Sequence, residues 1–321
     1  MSAVATRPRL GFLGVGWIGR ARMEAVAGDA EVAAVADPAV PEALDSLDEL
    51  LELPLDGVVI ATPSALHAEQ AVAALDAGLA VFCQKPLGRT ADEAARVVDA
   101  ARSADRLLAV DLSYRFTRAA QALKGLDLGR IHAAELAFHN AYGPDKPWFY
   151  DRELAGGGCV IDLGTHLVDL ALWLLGRPRV AAVDAQLLHR GGHDVEDYAV
   201  ARLELEPVRD LDHEQGPGRI AVTLSCSWNL PAGRDCVLEA AVYGSGGGAA
   251  LRNVGGSFYD LRAERFEGTA TEVLVEPPDD WGGRAIRDWA RRLGAGGRFD
   301  AEVEHVVDVA RTIDRIYGRD A

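Results

Sequence analysis

RLGFLGVGWIGRARMEAVAG, residues 9–28, opens as a short apolar strand and changes at three spaced glycines into a helical pattern that stops at Gly28. Gly14, Gly16 and Gly19 form a G-x-G-x-x-G, with Trp17 and Ile18 inside it. In a chain with 34 glycines that spacing alone is weak, but here it follows a strand and opens a helix. The first two glycines let the backbone turn and approach a pyrophosphate at the helix N-terminus, and the third permits close helix–strand packing. The next strand, EVAAVADP (31–38), ends at Asp37, the distance expected of an acid that binds adenosine ribose hydroxyls. A carboxylate there repels a ribose 2′-phosphate and no arginine follows it directly, which favours NAD over NADP; Arg20 or Arg22 folding in would weaken that preference.

Outward from this unit the pattern repeats. DGVVIATP (56–63), LAVFCQKP (79–86) and RLLAVDLSYRF (106–116) read as strands, separated by the helices SALHAEQAVAALDAG and TADEAARVVDAARSAD. Thr90 and Glu93 supply a capping box for the second of these. Strands alternating with helices predict parallel βαβ units and an open doubly wound sheet. Past residue 118 the pattern changes. A helix, a strand at 130–140 and a second helix precede strands near 179–190, 195–206, 219–230 and 235–243. Consecutive strands predict an α+β domain with a mostly antiparallel sheet, giving domains at 1–118 and 119–321. EPVRDLDHEQGPG (206–218) is expected to be a charged, mobile hairpin loop.

The formal charge of −16 argues against nucleic acid or an anionic membrane surface as partner. The four cysteines form no metal-type pair and lie in hydrophobic stretches, as expected of buried thiols in a cytoplasmic protein. The N-terminal MSAVATRPRL lacks the apolar core of a signal peptide, and no metal site is expected.

Only three of the 33 basic residues are lysines: Lys85, Lys124 and Lys146. Lys85 falls at the carboxyl end of a parallel strand, where open α/β sheets place ligands. A surface lysine is the ordinary reading. An arginine-rich chain that keeps lysine here, however, keeps the cation whose pKa can fall far enough for proton transfer. Pro86 is compatible with a cis Lys85–Pro86 bond. Further on, GGGCVIDLGTHLVDLALWLLG (156–176) is an apolar helix interrupted by Asp162, His166 and Asp169. Asp162 and His166, four apart, share a helix face. A dipole-complementing carboxylate and a core histidine account for them about as well as catalysis does.

ATPSALH (61–67), CQKPLG (83–88) and GGGCVIDLGTH (156–166) resemble the Thr-Pro-x-x-x-His, Glu-Lys-Pro and Gly-rich Asp-x-Gly-x-His motifs of the glucose–fructose oxidoreductase/inositol dehydrogenase (Gfo/Idh/MocA) family. YRF (114–116), SWN (227–229) and VYGSGG (242–247) are similar to further landmarks in the right order. The resemblance implies an N-terminal Rossmann domain and a C-terminal α+β domain whose large open sheet joins a homodimer or homotetramer. It also implies NAD(P)-dependent hydride transfer on a sugar, cyclitol or related polyol. It carries a cofactor role to Thr62, Pro63, Ser64, His67, Gln84, Lys85 and Pro86, and a catalytic role to Lys85, Asp162 and His166. A substrate role falls to those three, with Arg115, Tyr142 and Trp148 offered from the strand end and from the aromatic loop 139–153; a structural ion pair suits Arg115 equally, and Asp169, outside the motif, reads as a structural hydrogen bond or salt bridge. Two other activities suit the same fold: an NAD-dependent glycoside hydrolase and a non-catalytic NAD-binding regulator.

The chain departs from the family pattern twice. Gln84 stands where the motif has glutamate, which removes a negative charge beside Lys85. The segment between Asp37 and SLDELLEL is short, lacking a helix and a strand usual there.

Overall fold

The computed structural model describes residues 7–207, 218–279 and 281–319. The loop expected at 206–218 lies almost wholly outside the described residues. The chain divides into two compact units, one made of the chain up to Ser113 with Gly282–Ala310, the other of Tyr114–Trp281 with the chain from Arg311. The division falls at 113/114 rather than at 118/119. Residues 282–310, which the sequence reading put in the second domain, return to the first.

The first unit holds β1 (Arg9–Leu13), β2 (Glu31–Ala36), β3 (Gly57–Ile60), β4 (Ala80–Cys83) and β5 (Leu108–Val110). They form one parallel sheet in the order β2-β1-β3-β4-β5. The strand order reverses between β1 and β3, which puts the switch point at the glycine motif. Helices α1 (Trp17–Val26), α2 (Leu47–Leu51), α3 (Ser64–Asp76) and α4 (Ala91–Ala104) connect the strands. The strands are apolar on both faces, as buried parallel strands must be: Val58, Val59, Ile60, Val81, Phe82 and Cys83 are all solvent-inaccessible. Thr90 caps α4 by accepting from Glu93 N–H; the Glu93 carboxylate reaches the Arg89 N–H, one residue before the cap.

The last part of this sheet's cover comes from far along the chain, where no local pattern points back to the sheet. Trp289, on the helix Gly283–Gly294, is fully buried, its ring 5.7 Å from that of Phe82. A Cβ on Gly57 would come within 2.9 Å of the Trp289 ring. The missing side chain is what lets this helix close on the sheet.

The second unit adds α5 (Arg118–Lys124), β6 (Ile131–Asn140), α6 (Arg152–Ala155), α7 (Thr165–Leu174) and seven further strands. These are β7 (Arg179–Leu188), β8 (Tyr198–Glu206), β9 (Ile220–Ser227), β10 (Cys236–Gly244), β11 (Gly247–Asn253), β12 (Leu261–Glu267) and β13 (Ala270–Val275). The eight strands run β13-β12-β11-β10-β6-β9-β8-β7, antiparallel except for the β6–β9 pair. Strands β11 to β13 were not read from the sequence. Alternate residues (Ala134, Leu136 and Phe138 on β6; Val222, Leu224 and Cys226 on β9) are buried on the face that α7 covers, while α5 packs on β11 to β13. The opposite face carries exposed Glu135, Arg202, Glu204 and Thr223.

Arg152–Leu174 is long and apolar enough to cross a membrane by composition, its 18-residue window of mean hydropathy 1.3, yet 83% of that window is buried inside the fold. It does not start as a plain α-helix. Val160–Gly164 form a π-helical turn before α7, a feature that recurs at functional sites.

The glycine triplet ahead of this turn has a packing reason. A Cβ on Gly158 would lie 1.9 Å from the Glu196 carbonyl oxygen, and one on Gly157 would lie 2.1 Å from the Tyr317 hydroxyl. The buried Glu196 carboxylate accepts from Gly158 N–H (3.0 Å), Val160 N–H (2.9 Å) and Tyr317 O–H (2.8 Å). It fills the acceptor role that the helix start has no side-chain cap to fill. Gly158→Ala forces backbone away from backbone and is expected to cost about 3 kcal/mol. A urea-unfolding midpoint equal to that of the parent chain would refute this packing account.

Candidate active site

In the first unit the glycine motif sits directly after β1. Gly14 has a φ of +84°, and a Cβ there would lie 2.7 Å from Ala61 O. A Cβ on Gly19 would lie 2.2 Å from Gly14 O, so α1 packs on the turn at glycine distance. Helix α1 starts at an extended Gly16, with no side-chain cap and no acid in its first turn. Its first N–H groups therefore keep the donor character that a pyrophosphate needs. Trp17 is 64% exposed on this turn, and Ile18 is half-buried.

Asp37 is held beside the motif. Its carboxylate accepts from Val15 N–H at 2.8 Å and Ala39 N–H at 2.9 Å, which fixes the acid on the loop it is expected to serve. The two arginines that bear on cofactor choice are both engaged. Arg20 Nε donates to Val15 O (2.9 Å), and Arg22 is buried on Asp111. Arg22 thus has no part in receiving a 2′-phosphate.

At the β3 end, Thr62 donates to Gln70 Oε1 (2.6 Å), Pro63 precedes α3 and Ser64 is buried in its first turn. His67 is buried, with Nδ1 2.7 Å from Pro86 O and Nε2 2.8 Å from Thr62 O. Each ring nitrogen faces a carbonyl oxygen, one at the β3 end and one at the β4 end, and the single N–H of the neutral ring donates to one of them. His67 is a clamp, whereas the sequence reading made it a cofactor contact.

Gln84 also differs from its expected role. Its amide Nε2 donates to Asp111 Oδ2 at 2.5 Å, and it is 7% exposed. Lys85 follows it, partly buried, and the Lys85–Pro86 bond is cis. The other two lysines sit elsewhere: Lys124 donates to Trp173 O at the end of α7 (2.7 Å), and Lys146 is exposed.

In the second unit, Asp162 on the π-helical turn accepts from the indole Nε1 of Trp228 at 3.0 Å. Trp228 is fully buried, its N–H donates to Asp197 O (2.9 Å), and the Tyr150 ring packs across it at 5.5 Å. His166, 8% exposed, lies edge-on to Tyr114 with ring centroids 5.0 Å apart. Phe138 backs the same imidazole at 6.1 Å. An oriented carboxylate and an imidazole walled by rings suit proton transfer in a mostly apolar setting.

Asp169 is the partner of Arg115, in the structural salt bridge that its sequence position favours. The guanidinium donates to both carboxylate oxygens, Nε to Oδ2 at 2.6 Å and Nη2 to Oδ1. Burial raises the Asp169 carboxyl pKa, against the pull of Arg115 and Arg177. Arg115 is therefore occupied inside the unit, not presented as the expected substrate ligand. In the aromatic loop, Trp148 stacks on Phe149 at 3.8 Å, while Tyr142 is 51% exposed and lies 6.2 Å from Phe258. Both belong to the second unit. Glu196, Trp228 and Asp111 escaped the sequence reading; only SWN was noted, as a landmark without a task.

Residues 8–112 match the model described as "Oxidoreductase family, NAD-binding Rossmann fold", and residues 116–250 match the "GFO/IDH/MocA C-terminal domain". The chain is 38% identical over 297 residues to the D-xylose 1-dehydrogenase (NADP(+)) 2 of Haloferax volcanii, covering 90% of this chain and 86% of that one. It is 35% identical over 149 residues to the D-glucoside 3-dehydrogenase of Escherichia coli. That match covers 44% of this chain and spans only 42% of the relative's length. The solved structure of GenD2 from gentamicin A biosynthesis in complex with NAD superposes with a TM-score of 0.78 at 25% identity, over 99% of this chain and 95% of that one. A Rossmann domain followed by an open-sheet α+β domain defines the class of protein. The chain belongs to the Gfo/Idh/MocA oxidoreductase family.

The clamp predicts a pH response. Burial lowers the pKa of His67 from 6.5 in spite of its two carbonyl acceptors. The unfolded chain therefore takes up a proton that the folded one resists, so this contribution is full above about pH 6.5 and is lost as pH falls below it. Melting curves from pH 7.5 to 5 should show a shallower acid loss for His67→Gln than for the parent, and equal slopes would remove His67 from the account.

Proposed function

We propose that this chain is an NAD-dependent oxidoreductase that interconverts a secondary alcohol and a ketone on a sugar, cyclitol or related polyol. The observation that carries the proposal is the edge at the carboxyl ends of β1 to β4. There the uncapped glycine turn and the Asp37 carboxylate stand at the strand-order switch, and Lys85 follows β4, two strands along the same edge. NAD, when bound, supplies the two-electron acceptor that takes hydride from the carbinol carbon. Gly14, Gly16 and Gly19, with the α1 N–H groups, hold its pyrophosphate, and Asp37 holds its ribose hydroxyls.

The remaining chemistry is proton handling. In the oxidising direction His166 takes the hydroxyl proton at a ring nitrogen. The Lys85 ammonium donates to the same oxygen and stabilises the charge that grows as the C–H bond breaks. Asp162, fixed by Trp228 on the π-helical turn that leads into α7, orients His166. In the reducing direction the same groups return the proton to the new alcohol. Tyr142 and Trp148 form part of the polyol-facing loop, since rings pack well against sugar C–H faces. The protein works in the cytoplasm, where four free, buried thiols remain reduced. It acts as a homodimer or homotetramer joined through the open face of the eight-stranded sheet.

The test is an NAD-linked screen of inositols, hexoses, glycosides and their keto forms, following NADH at 340 nm and released aglycone in parallel. NADH formation without glycoside cleavage is the expected result; cleavage with no net redox change would overturn it. Lys85→Met is expected to lower turnover at least 10³-fold, in line with losing both a charge stabiliser and a proton partner, while the dissociation constant for NAD changes little. A fully active Lys85→Met enzyme would sink the assignment.

A further inference from the structure

Four buried side chains of the first unit meet beside Lys85. Asp111, 1% exposed and just beyond β5, accepts from Arg22 Nε at 2.5 Å and from Gln84 Nε2 at 2.5 Å, both on Oδ2. Ser113 donates to its other oxygen, and Arg22 Nη2 donates back to Ser113 Oγ at 3.1 Å. Asp111 N–H donates to Cys83 O (2.8 Å) and Gln84 N–H to Ile60 O (2.9 Å), which laces the ends of β3, β4 and β5 together. Arg22 is itself enclosed: a Cβ on Gly282 would come within 2.5 Å of its Nη1. One buried anion, one buried cation and a neutral amide make a cluster with no net charge.

The consequence for Lys85 is geometric. The residue before it is pinned through its side chain to Asp111, and Pro86 after it is pinned through its carbonyl to His67. We propose that Asp111 is the positioning residue for Lys85, supplying from the end of β5 the carboxylate that the Glu-Lys-Pro motif would place at position 84. Gln84 is then the donor that a fixed neighbouring carboxylate requires. The inference rests on the oxidoreductase reading for its catalytic consequence, though not for its electrostatics.

A carboxylate introduced at 84 would face Asp111 with Arg22 as their shared guanidinium. Two carboxyl groups at hydrogen-bond distance hold one proton between them until the pH rises far enough to remove it. The other titratable groups at this edge are Cys83 on β4, whose thiol is pushed up by burial and by Asp111, and Lys85 and His67 on either side of Pro86.

The experiment uses the full chain with three variants, Gln84→Glu, Gln84→Met and Asp111→Asn. Gln84→Met, which breaks the link and leaves the Arg22–Asp111 pair intact, should lower kcat at least tenfold with NAD affinity within threefold of the parent. Gln84→Glu should lose activity progressively from pH 6 to pH 9 relative to the parent, rather than by a constant factor. Asp111→Asn should lower kcat in the same way as Gln84→Met. A loss carried by NAD affinity rather than kcat would mean that Gln84 touches the cofactor, and it would overturn the proposal. So would a Gln84→Glu enzyme with the parent's pH profile. If the parent turns over no polyol, the failure lies with the oxidoreductase reading. The melting temperature of cofactor-free Gln84→Glu against pH then decides the matter: a fall with rising pH, absent in Gln84→Met, upholds the charge placement, and a flat profile rejects it.

Discussion

A carboxylate buried away from water has to be surrounded by donors, and that constraint organises both units. In the first, Asp111 gathers an arginine, an amide and a hydroxyl, and in doing so fixes the strand ends that carry Lys85. In the second, Glu196 gathers two backbone N–H groups and a tyrosine hydroxyl, and fixes the start of the helical run that carries Asp162 and His166. Removing one partner of such a group leaves an uncompensated charge, typically at a cost of about 3–5 kcal/mol. The candidate catalytic residues inherit their placement from neighbours that do no chemistry themselves.

The same constraint explains the polar stripe on the apolar helix. Asp169 is satisfied by Arg115, so that pair belongs to the support of the unit. Asp162 is tied to Trp228, which in turn hangs from Asp197 through its backbone N–H. The two acids are thus held by different donors, Asp169 by a two-point guanidinium and Asp162 by an indole N–H among its partners.

The alternation of strands and helices, the glycine motif and the acid at the end of β2 were readable because their signals are local. A period of two or 3.6 residues, a capping threonine and a required positive φ are all contained within one short segment. The family motifs around Thr62, Lys85 and His166 were equally visible. Their roles were less so: His67 and Gln84 both looked like cofactor ligands until their polar atoms were traced to Pro86, Thr62 and Asp111. Strands β11 to β13 and the helix Gly283–Gly294 were missed. Their pairing partners are chosen by complementary faces far away in sequence, as the contact of Trp289 with Phe82 and Gly57 illustrates.

By itself the sequence determined the two architectures, the dinucleotide motif and the set of residues capable of proton transfer, because each is written in local periodicity or in a contiguous motif. Only the tertiary structure decided which charges work and which merely support. Asp111 lies 27 residues from Gln84, Arg115 lies 54 from Asp169, and Trp228 lies 66 from Asp162. Whether a buried polar group has lone pairs or protons to spare depends on which distant donor folds against it, and no local pattern encodes that.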